Sequence, residues 1–200
     1  MKKFLAEHSY NIVKMFLNQF AIAIFGFSLV LASARAENVT LRNVTSVFSI
    51  LFYLFLLYTM TWEIGFRDRV PVEAGRKKRN PFLGLLISLC ANAINFVLAI
   101  FIALPFFIKV EAFSNLGGAC ASIAVVLEGM YMGLLANPLG GVPLNSYAWV
   151  YFLLPLPAMA ISGLAYYLGL RDIKFTSLFD PVYPESDREP SKKDRAKKDD

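Results

Sequence analysis

The sequence predicts an all-α integral membrane protein with four transmembrane helices and one re-entrant or interfacial helix. Of its 200 residues, 56% are hydrophobic, whereas a soluble domain is roughly 45–50% apolar. The excess lies in long blocks rather than being spread along the chain. At least four blocks reach the roughly 20 apolar residues that are needed to cross the hydrocarbon core of a bilayer. A fifth apolar block, discussed below, makes a five-helix protein the alternative.

The first predicted crossing has a group of polar residues at its start. Lys14, Asn18 and Gln19 fall on its first turns, where lysine can snorkel to the headgroups and the amides can bond other helices. The end of this crossing, Ala34-Arg35-Ala36, has the form of a signal-peptidase site. We favour an uncleaved crossing because the apolar run is longer than most signal-peptide cores, and cleavage is the alternative. The four crossings are placed at residues 12–34, 44–66, 82–108 and 148–170.

Helix starts and ends are predicted from capping residues and proline. Asn43, Thr45 or Ser46 would cap the second helix, because their side chains accept from free backbone N–H groups. Asn80 would cap the third helix, with Pro81 at its first position, where a missing N–H costs nothing. Pro105 should end or kink that helix near its far end.

The distribution of positive charge predicts the orientation. Nine Lys/Arg residues lie on the side of the N-terminus and the loop after the second crossing, and three lie on the opposite side. The positive-inside rule therefore places the N-terminus in the cytoplasm. The densest basic run, Arg76, Lys77, Lys78 and Arg79, acts as a topology signal in this interpretation. The net charge of +5 thus indicates contact with the membrane surface and not with nucleic acid.

Residues 113–136 are apolar enough to cross but rich in small residues. If they cross, the C-terminal residues 171–200 lie outside the cell, and if they re-enter, these residues stay in the cytoplasm. The second arrangement is favoured because Arg171 and Lys174 follow the last crossing closely. We therefore divide the chain into a membrane domain, 1–170, and a charged tail, 171–200, which should be mostly disordered.

Two groups of polar residues inside the apolar blocks are candidate substrate or ion ligands. Asn92 and Asn95 share one helical stripe with Ser88 and Ala99, which should face other helices because lipid penalises exposed amides. Glu128 is the strongest candidate, since an intramembrane carboxylate is expensive and is often functional. It could hold a proton, a cation or a substrate amine. The structural alternative has Glu128 pairing with Lys14 or Lys109, or accepting from Asn92 or Asn95.

Gly129 and Gly133 form a GxxxG pair, which allows close backbone packing between helices. The packing partner could be another part of the chain, a second copy or a different protein in the membrane.

No nucleophile–base pair, nucleotide-binding loop, metal-ligand spacing or family-specific motif is found in the sequence. We therefore expect no enzymatic activity, no cofactor and no bound metal. The leading hypothesis is an accessory or scaffold subunit of a membrane complex in the cell membrane, with both ends cytoplasmic. The alternative is a small-molecule or ion-coupled transporter that uses Glu128.

Overall fold

A computed structural model describes residues 2–35 and 37–173 of the chain. It is 83% helical, so the predicted all-α class is confirmed. Three helices are long and apolar enough to cross a membrane, and the number is five if each of two bent helix pairs counts as one span. The predicted tail lies outside the described residues from position 174 onward. The helices are α1 Lys2–Arg35, α2 Val39–Glu73, α3 Leu83–Ala91, α4 Ala93–Phe107, α5 Glu111–Leu127, α6 Met132–Leu135, α7 Ala148–Leu153 and α8 Pro155–Leu170.

The first two helices are longer than the sequence pattern predicts and form an antiparallel pair. The link between them is closed by Glu37, whose φ of 51° lies in the left-handed region. Asn38 then caps α2, and its side chain accepts from the backbone N–H of Leu41 at 3.0 Å. The caps predicted at Asn43, Thr45 and Ser46 are therefore wrong, because α2 has already begun at Val39 and these residues lie within its first turns.

The third predicted crossing is broken at Asn92 into α3 and α4, which are bent by 53°. Its start also differs from the prediction, since α3 begins at Leu83 and the cap position is Phe82. Asn80 instead closes the preceding turn by accepting from the backbone N–H of Phe82 at 3.1 Å. Pro105 lies two residues before the end of α4, as predicted.

Residues 113–136, which could cross or re-enter according to the sequence, lie almost entirely in a sharply bent segment. This bent segment runs from the start of α5 to the end of α6. A 3-10 turn, Gly129–Tyr131, joins α5 to α6 with a bend of 84°. A short hairpin follows, with strands β1 Pro138–Leu139 and β2 Val142–Pro143 paired antiparallel. Its two loop glycines have φ values of 63° and 85°, which suit a two-residue turn. This hairpin is a small addition to the predicted all-helical fold.

The last predicted crossing is interrupted at Leu154, and Pro155 becomes the first residue of α8. Helix α8 packs directly on α2 at two glycines. A Cβ atom on Gly169 would lie 2.9 Å from the backbone nitrogen of Phe66 and 3.1 Å from the Cα atom of Gly65. Because glycine has no side chain, the two helix backbones touch at this point.

Ion pairs connect the ends of several helices at one end of the bundle, which we call the Lys77 end. The Lys77 ammonium lies 2.8 Å from Asp68 near the end of α2 and 3.9 Å from Glu7 near the start of α1. The end of α8 is here as well, since Arg69 lies 2.7 Å from Asp172. Helices α2 and α8 therefore run parallel to each other.

The opposite end, which we call the Asn137 end, contains the start of α2 and the end of α6. Arg42 donates to the Oδ1 atom of Asn137 at 3.1 Å, and Asn137 donates to the Oδ1 atom of Asn43 at 2.9 Å. The end of α4 lies nearby, because Phe107 lines the same groove as Val142 of the hairpin. Since α5 starts four residues after α4 ends, the bent segment begins and finishes at the same end of the bundle.

Candidate functional site

The carboxylate of Glu128 lies in the interior, at the break between α5 and the 3-10 turn. Its side chain is 3% exposed, and its Oε1 atom accepts from the Nε2 atom of Gln19 at 3.2 Å. Gln19 is itself 2% exposed and comes from α1. The structure thus brings together two polar residues that lie in separate apolar blocks of the sequence.

Glycines hold the bent segment against the middle of α1 and the start of α2. A Cβ atom on Gly129 would collide with the carbonyl oxygen of Ala23, and one on Gly26 would lie 2.6 Å from the Cα atom of Met130. A Cβ atom on Gly133 would collide with the Oγ atom of Ser46 and would lie 2.7 Å from the carbonyl oxygen of Arg42. The two glycines of the GxxxG pair therefore contact two different helices of the same chain.

Two tyrosine hydroxyls complete the polar surroundings of Glu128. Tyr53 of α2 and Tyr131 of the 3-10 turn are 1% and 7% exposed, and both interact electrostatically with the carboxylate. Among the described residues, neither hydroxyl has a hydrogen-bond partner, and the Oε1 atom of Gln19 has none either. We call these four residues the Glu128 cluster: Gln19, Tyr53, Glu128 and Tyr131.

The unpaired atoms make the Glu128 cluster costly for the fold. Each buried polar atom without a partner costs about 1–3 kcal/mol. Most buried polar groups in proteins are hydrogen-bonded, so several exceptions in one place call for an explanation such as an ion or a functional role. Three such atoms belong to the residues of the Glu128 cluster.

Glu128 has no positively charged partner among residues 4–35 and 37–173. Lys14 and Lys109, the two lysines considered from the sequence, are both exposed, and the ion pairs of the described chain leave Glu128 out. An isolated charge inside a membrane protein is strongly disfavoured. The carboxylate therefore requires either a proton or a cation when the site is shielded from water.

The Asn92/Asn95 stripe is buried but forms a separate polar group. Ser88, Asn92, Asn95 and Ala99 are all at most 5% exposed, so the stripe faces other helices as predicted. Asn92 donates to the carbonyl oxygen of Ser88 at 2.9 Å, and Asn95 donates to the Oδ1 atom of Asn92 at 3.1 Å. These bonds stay within the stripe. The hydrogen-bond partner of Glu128 is accordingly Gln19 and neither asparagine.

The basic run proposed as a topology signal lies in the loop between α2 and α3. Arg76, Lys78 and Arg79 are exposed, whereas Lys77 pairs with Asp68. Asp68 also accepts from the hydroxyl of Tyr166 at 2.8 Å and so connects the loop to α8. This network could not be predicted from the sequence, because a single aspartate in a charged loop carries no distinguishing signal.

The sequence did not predict which residues would join Glu128 in its cluster, namely Gln19, Tyr53 and Tyr131. Gln19 carried a usable signal, since an amide within an apolar run needs a partner. The tyrosines carried none, because tyrosine is frequent at membrane interfaces. No group of three or more His, Cys, Asp or Glu side chains that could hold a metal ion lies in the described part of the chain.

Comparisons of this chain with protein-family models, with curated proteins and with solved structures find no match. Any assignment of function therefore depends on the geometry described above.

Proposed function

We propose that this chain is a membrane transport protein in which the Glu128 cluster binds the transported or coupling cation. The observation that carries the proposal is a carboxylate that is 3% exposed, has no positive partner in the described chain and belongs to a buried cluster with three polar atoms that have no partner among the described residues. Ionisable residues in such positions mark ion and substrate pathways. Transporters commonly place these sites near the bilayer midplane at the ends of broken helices.

The arrangement of the bent segment supports the same function. Glu128 lies where α5 ends and the chain turns by 84°, and Gly129 packs against Ala23, in the central part of α1. Irregular backbone at membrane depth is tolerated where protein or a water-filled cavity shields it. Here the shield is formed by α1 and α2, which bury the 3-10 turn Gly129–Tyr131.

The flux test compares wild-type protein with Glu128→Gln in sealed liposomes containing a trapped pH-sensitive dye and a dye for membrane potential. An imposed Na⁺ or pH gradient should give a response in wild type that exceeds that of empty liposomes. Glu128→Gln keeps the shape and a hydrogen bond to Gln19 but removes the charge, so its response should fall to the empty-liposome level. Glu111→Gln is the matched control, since Glu111 is an exposed acid on the same segment. Equal responses of wild type and Glu128→Gln would overturn the proposal.

The proposed topology has four crossings, formed by α1, α2, the pair α3 and α4, and the pair α7 and α8. The bent segment re-enters from the outer side, and the Lys77 end faces the cytoplasm of a cell membrane. The concentration of Lys and Arg at the Lys77 end supports this orientation. The contacts of Asn137 with Arg42 and Asn43 support re-entry, because they return the segment to the end where it began.

Single cysteines test the topology in a Cys90→Ser, Cys120→Ser background. A membrane-impermeant thiol reagent applied to intact cells should label Glu111→Cys and Leu139→Cys and should not label Lys78→Cys. All three positions are exposed in the structure. Permeabilised cells, in which all three variants should react, provide the control. Labelling of Glu111→Cys without labelling of Leu139→Cys would show that the segment crosses the membrane.

The accessory-subunit hypothesis stays a prediction of the sequence. One of its motives was the GxxxG pair, and both of these glycines pack inside the chain. Another was the charged tail, which lies beyond the described residues. Purification in mild detergent followed by mass spectrometry separates the two hypotheses, because a subunit should retain a stoichiometric partner and a self-sufficient transporter should not.

A further inference from the structure

We propose that the Glu128 cluster is a site for a dehydrated monovalent metal cation, with Na⁺ as the expected ion. This inference rests on the proposed transport function and specifies its substrate class. Four side chains contribute oxygen atoms: the carboxylate of Glu128, the amide oxygen of Gln19, and the hydroxyls of Tyr53 and Tyr131. The last three oxygens have no hydrogen-bond partner in the part of the chain that the structure describes. Hard cations bind such oxygen ligands.

Charge balance selects a monovalent cation. One carboxylate and one Na⁺ form a neutral pair, which is the least costly charge state in a dry interior. A divalent cation would leave an excess positive charge, since Glu128 is the only buried acid among the described residues. Helix α5 ends at Leu127, directly before the carboxylate. The negative end of its dipole therefore also favours a cation at this point.

The packing limits the size of the ligand. Gly26 lies so close to the 3-10 turn that a Cβ atom there would be 2.6 Å from the Cα atom of Met130. Gly129 touches the backbone of Ala23 on the same helix. With the turn pressed onto α1 beside Gln19, a single ion fits more readily than an amine with several carbon atoms.

The unpaired atoms distinguish a metal cation from a proton. Protonation would neutralise Glu128 but would add only one O–H group next to the carboxyl oxygens. It would leave the buried hydroxyls of Tyr53 and Tyr131 and the amide oxygen of Gln19 without enough partners among the described residues. A bound Na⁺ uses the oxygen atoms of all four side chains.

Thermal unfolding of the full-length protein in detergent tests the inference, with NaCl replaced by KCl or choline chloride at constant total concentration. Ligands that bind the folded state raise its stability by mass action. At about ten times the dissociation constant, NaCl should raise the Tm by roughly 3–6 °C relative to choline. This response should be absent in Glu128→Gln. Tyr53→Phe and Tyr131→Phe should each shift the response to roughly tenfold higher NaCl, because each loses one oxygen ligand.

Tyr10→Phe is the matched control, since its side chain is 74% exposed and it should keep the wild-type response. A Na⁺ response that persists in Glu128→Gln would overturn the inference. No difference between NaCl and choline in wild type would also overturn it. In that case a Glu128-dependent pH response in the liposomes would leave the transport proposal standing, with the proton as its ion. Loss of both responses would refute the site and the transport function together.

Discussion

The helix breaks at Asn92 and at Glu128 differ in where their polar side chains find hydrogen-bond partners. At Asn92, the side chain bonds the carbonyl oxygen of Ser88 one turn earlier and accepts from Asn95 one turn later. At Glu128, the side chain reaches a different helix, where Gln19 is its partner. The hydrogen bonds of the first break are thus made with neighbours in sequence, and only the Oδ1 atom of Asn95 lacks a partner in this stripe of the described chain. The second depends on a residue 109 positions away, and three polar atoms of its cluster have no partner among the described residues.

This contrast separates a structural break from a candidate functional one. Local side-chain bonds to the backbone satisfy helix ends at little cost and need no other element. A carboxylate buried between helices without a counter-charge makes the fold less stable. Stability therefore does not explain why Glu128 is there. We therefore expect changes at Asn92 to affect stability and changes at Glu128 to affect ion binding.

The largest expected effect comes from Gly129→Leu, which attacks the packing that positions the Glu128 break. The new side chain would collide with the backbone of Ala23, and backbone on both sides cannot move aside cheaply. We expect a destabilisation of about 3 kcal/mol or more and loss of the monodisperse protein in size-exclusion chromatography. Gly118→Leu is the control, because a Cβ atom there meets nothing within 4 Å. Normal folding of Gly129→Leu would show that the close contact with α1 is not required.

A smaller effect is expected for Asn92→Leu. The substitution removes the acceptor of Asn95 and leaves its buried amide unpaired, which should cost about 1–3 kcal/mol in the free energy of unfolding. Ser88→Ala should cost less than Asn92→Leu, because the Oγ atom of Ser88 makes only a long contact of 3.4 Å with Asn92, and Asn92 keeps its bond to the carbonyl oxygen of Ser88. Unfolding in detergent at fixed NaCl measures both. The Na⁺ response should survive in each variant, and its loss in Asn92→Leu would show that the two breaks form one site.

The helices and the interior position of the polar stripe were predictable because both follow from local patterns. Apolar blocks of sufficient length predicted the spans, and the spacing of Ser88, Asn92 and Asn95 predicted a shared buried face. Pro105 likewise marked the end of α4. Each of these inferences needed only the sequence within one helix.

The break at Asn92 and the composition of the Glu128 cluster were not predictable in the same way. No proline or glycine marks residue 92, and the bend depends on side-chain bonds that compete with the helix. The pairing of Gln19 with Glu128 depends on which helices are neighbours, and this is decided by packing across the whole bundle. The cap at Asn38 was missed for a simpler reason, since α2 extends beyond its apolar core.

The parallel contact between α2 and α8 has a consequence for biogenesis. Gly65 of α2, which contacts Gly169 of α8, is synthesised early. Gly169 follows about 100 residues later, after roughly 5–20 s of synthesis. Helices inserted in a membrane associate through such close-packed small residues once their partners are present. Until then, Gly65 faces either lipid or another nascent helix. The last helix therefore closes the structure, and a ribosome that stalls before it would leave α2 open to capture by the wrong neighbour.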